Sequence, residues 1–178
     1  MTRLEGVTEP YDAGVAEDLA KLMPAGMKPL GLFRTLAHNP RVLRRIRKGG
    51  LLDRGAVSIR ERELVILRTT ALCGAEYEWG VHVAFFARAA GLGEAEIAAT
   101  VSGDPTGFVE AEQVLLEVCA ALHRDATVGD ALWARLAGAY RADQIVELLA
   151  LAGQYRTISY LVNALAIALE PDAPRFPR

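Results

Sequence analysis

Residues 58–91 read SIRERELVILRTTALCGAEYEWGVHVAFFARAAG, and the punctuation of this stretch sets the fold. Ser58 with Glu61 three residues later forms a capping box, in which hydroxyl and carboxylate each satisfy a free backbone N–H at a helix start. A second helical segment meets the first near Gly74 and is expected to close at Gly91, the residue type that a left-handed helix end prefers. At helical spacing Glu63 neighbours Ile59, Ile66 and Leu67, which puts a carboxylate on or beside an apolar stripe. Glu78 and His82, four residues apart, share one face of the second segment, flanked by Trp79, Phe85 and Phe86. An imidazole with a carboxylate one turn before it, among aromatics, is either a satisfied core pair or half of an acid–base site.

The flanking sequence continues in helical segments. Tyr11 to Leu22 is expected to be a first helix, ended by Pro24 and Gly26, and Leu30 to Leu36 a short second one. Asn39-Pro40 reads as a cap followed by proline at the first helical position, opening a helix to about Lys48 that stops at Gly49-Gly50. Beyond the central pair come Glu94 to Val101, a break at Ser102-Gly103-Asp104-Pro105, and Thr106 to about His123. Asp130 to about Tyr140 follows, with Leu132, Trp133 and Leu136 inward. The longest helix is expected from Asp143 to about Leu169. Short apolar runs such as Leu64 to Leu67 sit among good helix formers. The expectation is one all-α domain over residues 1–178.

The 178 residues suffice to bury a core. A net charge of −2 excludes the electrostatic footprint of a nucleic-acid binder. The basic run Arg41 to Lys48 is expected to be a solvated face or an oligomer contact. The N-terminus lacks the apolar region of a signal peptide, and no uninterrupted apolar run is long enough to span a membrane. Cys73 and Cys119 are too few for a disulfide framework. These features predict a cytoplasmic protein with no nucleic-acid or membrane partner.

RERELVILRTTALCGAEYEW, then His82 three residues after Trp79, then ARAAGL and the later GQYRTISYLVNALAIAL resemble the carboxymuconolactone decarboxylase family, which includes the alkylhydroperoxidase D-type proteins. The likeness covers roughly residues 34–169. It implies an alkylhydroperoxidase D-like helical bundle with a central antiparallel helix pair, a small-molecule substrate, and a homo-oligomer, trimer or hexamer. The peroxidase branch uses a glutamate, a CxxC pair, and a histidine three residues beyond the second cysteine. Aligned on His82, the glutamate falls at Glu63 and the two cysteines at Ala75 and Glu78. This chain therefore resembles a branch without the redox pair, since thiol–disulfide exchange needs a partner sulfur.

The catalytic set expected on this basis is His82, Glu78 and Glu63. His82 titrates near neutrality and would carry the proton. Glu78 would orient it or serve as a second acid, and Glu63 would be a buried support or simply an ion-pair partner of Arg60 or Arg68. Either arginine is a candidate for a substrate carboxylate. The leading function is decarboxylase-like acid–base chemistry on a small carboxylated or lactone substrate. One alternative is peroxidase activity, for which Cys73 would need a lowered pKa that Glu76 and Glu78 oppose. The other is a non-enzymatic helical oligomer binding a small hydrophobic ligand. No cofactor is expected, and no metal, because His82 and Glu78 lack a third ligand. Cys119 is expected in the core, His38 and His123 at helix ends, and Tyr77 facing solvent. Gln154 and Tyr155 would face the central pair or an interface.

Overall fold

The computed structural model describes residues 2–177. Among them the regular elements are α1 (Ala13–Ala20), α2 (Gly31–Leu36), α3 (Pro40–Gly49), α4 (Ile59–Leu72), α5 (Glu76–Phe86), α6 (Glu94–Ser102), α7 (Glu110–Asp125), α8 (Asp130–Ala139) and α9 (Ala142–Ala164). The all-α class expected from the sequence is the class found.

The capping box forms as the sequence requires. Ser58 Oγ accepts from the Glu61 N–H at 3.2 Å, and the Glu61 carboxylate accepts from the Ser58 N–H at 2.8 Å. This fixes the register of α4, which runs through the centre of the molecule. It packs against α5, α6, α7 and α9, so its apolar surface extends around most of the helix. Val65 and Ile66 join a core with Leu115 of α7 and Leu151 of α9. Leu64 and Leu67 join a second core with Trp79, Leu92 and Phe108. The chain reverses between α4 and α5 through Gly74, whose φ of +63° is a left-handed conformation that glycine adopts without a Cβ clash. The two helices run antiparallel, so Glu63 near the start of α4 lies beside His82 near the end of α5.

Several boundaries differ from the sequence expectation. Helix α5 ends at Phe86; Gly91, at φ +65°, closes a run of turns instead. Helix α7 begins at Glu110, not Thr106, because the Asp104 carboxylate accepts from the Thr106 N–H at 2.9 Å and holds that segment as a turn. Helix α9 stops at Ala164, not Leu169. Ala166 turns to φ +49° and the Ile167 N–H donates to the Val162 carbonyl at 3.1 Å. No glycine marks that end, so the sequence carries no stop signal there. In α8, Leu136 is buried but Trp133 is 46% exposed, contrary to the inward placement expected. The basic run of α3 is only partly a solvated face: Arg44 and Arg47 hold the buried Asp18 of α1 at 3.2 and 3.0 Å.

Ser58→Ala removes one half of the capping box and is expected to lower stability by about 1 kcal/mol. Urea denaturation reads this as a fall in midpoint at constant slope; an unchanged midpoint would show that the box contributes nothing.

Candidate active site

Glu63 is fully buried, and an isolated buried carboxylate costs several kcal/mol. Two cations meet it. Arg62 folds back so that Nε and Nη2 both reach Oε1, at 2.9 and 2.8 Å, while Arg62 Nη1 donates to the Leu52 carbonyl at 2.7 Å. From α5, His82 Nδ1 bonds the other oxygen, Oε2, at 2.8 Å. The opposite ring nitrogen, Nε2, stands 3.5 Å from Glu78 Oε1. The order is Arg62, Glu63, His82, Glu78, alternating in charge when the imidazole is protonated.

Aromatic side chains enclose the imidazole. Tyr155 of α9 meets it edge-on with centroids 4.9 Å apart, and Phe86 lies at 5.1 Å. The Arg62 guanidinium sits over the Phe86 ring at 5.2 Å, so one ring contacts both cationic groups. Burial by itself would lower the pKa of His82. The hydrogen bonds to Glu63 and Glu78 outweigh it and raise the value from 6.5 to about 9. The ring is therefore an imidazolium at neutrality. Burial, with the carboxylates of Glu78 and Glu63 nearby, holds the Tyr155 phenol well above its ordinary value, leaving it a neutral O–H.

His82, Glu78 and Tyr155 line a cavity of about 620 Å³ whose walls include Leu32, Phe85 and Ile158. Lys21, Arg47 and Lys48 also line it, with Asp53. The side-chain chemistry thus grades from a buried charged floor, across apolar walls, to a largely cationic rim.

The three expected site residues come together, but with different neighbours from those expected. Glu63, read as a support paired with Arg60 or Arg68, is the group that bonds and orients His82. Glu78, read as the orienter or a second acid, does neighbour His82 as expected, but at the opposite ring nitrogen and on the cavity-lining side. Arg60 binds Glu96 and Glu112 instead, and Arg68 donates to the carbonyls of Thr100 and Val101. Neither lines the cavity. The pairing of Arg62 with Glu63 carries no sequence signal, because adjacent helical residues do not ordinarily face one another. Tyr77, expected at solvent, is buried and donates to Glu170 at 2.6 Å. Cys73 lies 3.7 Å from His123 Nδ1 and Cys119 is buried against Val65. Burial pushes the Cys119 thiol up to about 11. Neither sulfur lines the cavity. His38 bonds the Glu5 carbonyl.

Residues 39–121 match the model of the carboxymuconolactone decarboxylase family, the family whose resemblance the sequence carries. No curated protein matches the chain. Among solved structures, the chain is similar to an uncharacterized peroxidase-related protein from Silicibacter sp. TM1040. That match has a TM-score of 0.81 at 16% identity and covers 99% of this chain and 96% of the other. A protein of unknown function from Agrobacterium tumefaciens, suggested to be the antioxidant defence protein AhpD, matches with a TM-score of 0.71 at 18% identity, over 77% of this chain and 96% of the other. The debrominase Bmp8 in its apo form matches at 0.76 and 15% identity, over 96% and 94%. These likenesses show the AhpD-like helical fold.

Because the folded-state pKa of His82 is raised, its contribution to stability is complete below about 6.5 and is lost as pH rises through about 9. Denaturant unfolding across that window is expected to show wild-type stability falling while His82→Gln stays flatter. Parallel curves for the two proteins would contradict a charged His82.

Proposed function

We propose that this protein is an enzyme performing decarboxylase-type acid–base chemistry on a small carboxylated or lactone substrate. The observation that carries the reading is a histidine held between two carboxylates at a cavity that neither cysteine lines.

The chemistry follows from the charge states. The His82 imidazolium has Nδ1–H committed to Glu63 and Nε2–H on the Glu78 side. A substrate carboxylate borne by the α-carbon of a carbonyl, or by the γ-carbon of an unsaturated lactone, loses CO2 by cleavage of the C–C bond, and the electron pair passes into the carbonyl as an enolate. The Nε2 proton then moves to the carbon of that enolate. Glu78 returns a proton from solvent to Nε2, so one proton is consumed for each CO2 released. The neutral Tyr155 O–H supports the reading as a donor for the enolate oxygen. Apolar walls favour a step in which a localised carboxylate charge disperses. Arg47 and Lys48 at the rim take the part first assigned to Arg60 or Arg68, that of attracting an anionic substrate.

The peroxidase alternative lacks a cysteine thiol at the cavity. The debrominase Bmp8 was solved with 2,3,4-tribromopyrrole in a cysteine-to-alanine variant. In this chain the position aligned with the second CxxC cysteine is Glu78, so a thiol-dependent reaction has no counterpart there.

CO2 release from carboxymuconolactone and related carboxylated lactones tests the proposal. His82→Gln and Glu78→Gln are each expected to lower kcat by about 10²–10⁴, while Cys73→Ser combined with Cys119→Ala retains turnover. Loss of turnover in the cysteine-free protein, with its fold intact, would replace proton chemistry by sulfur chemistry.

A further inference from the structure

The chain after α9 does not trail away from the molecule; it returns across the outer side of α5. Contacts made by Glu170, Pro174 and Phe176 define its path. Glu170 Oε1 accepts from the Gly31 N–H at 2.7 Å and from the Tyr77 hydroxyl at 2.6 Å. The same Tyr77 oxygen accepts from the Leu32 N–H at 3.0 Å. The Pro174 carbonyl lies against Gly80, so closely that a Cβ there would stand 2.3 Å from its oxygen. Phe176 packs on Trp79 with centroids 5.2 Å apart, and its N–H donates to Glu76 at 2.8 Å.

The residues gripped are Glu76, Tyr77, Trp79 and Gly80, which bracket Glu78 on both sides in the first turns of α5. Glu78 and His82 line the cavity, and Leu32, held through Tyr77, lines it too. The His82–Glu78 separation of 3.5 Å therefore depends on a helix segment held partly by the chain's own C-terminal residues. Glu63 is placed independently, by α4 and Arg62.

We infer that residues 165–177 form a positioning strap, with Glu170 and Tyr77 as its lock, that holds Glu78 against Nε2 of His82. None of these residues touches the reacting atoms. The strap lies beyond residues 39–121, the part matched by the family. For its consequence in catalysis the inference rests on the acid–base reading above; the placement of Glu78 stands apart from it.

Gly80 offers a clean test. Alanine normally favours a helix over glycine by about 1 kcal/mol, so Gly80→Ala should strengthen α5 itself while displacing the Pro174 carbonyl. Glu170→Ala breaks the lock at the other end, and Glu170→Gln keeps a carbonyl acceptor for both donors. The charged and titratable groups around His82 are Arg62 and Glu63 from α4, Glu78 from α5 and Tyr155 from α9. The strap should move only Glu78.

The experiment uses the full chain carrying Trp133→Phe, so that Trp79 is its only tryptophan, with Trp79 emission and the His82 titration by NMR measured together. In Gly80→Ala and in Glu170→Ala, Trp79 emission should shift to the red as Phe176 leaves. The His82 pKa should fall by about one unit as one of its two carboxylates withdraws, and Glu170→Gln should restore both signals. A red shift with the His82 titration unchanged overturns the positioning role. Trp79 emission unmoved in both variants overturns the strap itself. A His82 that already titrates near 6.5 in the parent protein sinks the acid–base reading instead, so the two failures are separable.

Discussion

A carboxylate with no exposure to water has to be neutralised where it stands, and Glu63 is such a group. Its two oxygens are divided between two cations, Arg62 from its own helix and His82 from the next. Removing either partner would leave buried charge uncompensated, an effect of about 3–5 kcal/mol. The pair thus fixes α4 against α5 in rotation as well as distance, which apolar packing alone does only loosely. It also fixes the chemistry. With Nδ1 committed to Glu63, Nε2 is the nitrogen left on the side of Glu78.

The position aligned with the second cysteine of the peroxidase branch is Glu78, which puts a carboxylate beside the imidazole where that branch has a sulfur. A cysteine there would offer a thiolate to the imidazole and a route to disulfide chemistry. A carboxylate instead raises the basicity of the ring and gives it a partner for exchanging protons. The two remaining cysteines are placed where neither can substitute: Cys73 beside His123 and Cys119 inside the core.

Much of this was legible in the sequence because it rests on local rules. The Ser58–Glu61 box, the glycine between α4 and α5, and the four-residue spacing of Glu78 and His82 are each read from short-range pattern. What was not legible depends on contacts between segments far apart. Arg62 reaches Glu63 by folding back along its own helix, against the ordinary rule for adjacent residues. Tyr155, expected to face the central pair or an interface, faces the pair; the apolar surroundings of its helix did not decide between the two. The buried hydroxyl of Tyr77 is met by Glu170 of the returning tail, 93 residues away in sequence, and the end of α9 at Ala164 carries no glycine to announce it. Trp133 misled because a large apolar residue at helical spacing carries no guarantee of burial.

The proposed chemistry turns on the charge of one ring, and the chain has only three histidines, so its titration can be resolved directly. With ¹⁵N-labelled imidazoles, both nitrogens of His82 should remain protonated through neutrality and lose a proton only near about 9. His82 assigned as a neutral tautomer at pH 7 would contradict an imidazolium shared between Glu63 and Glu78, and with it the proton donor at the centre of the proposed chemistry.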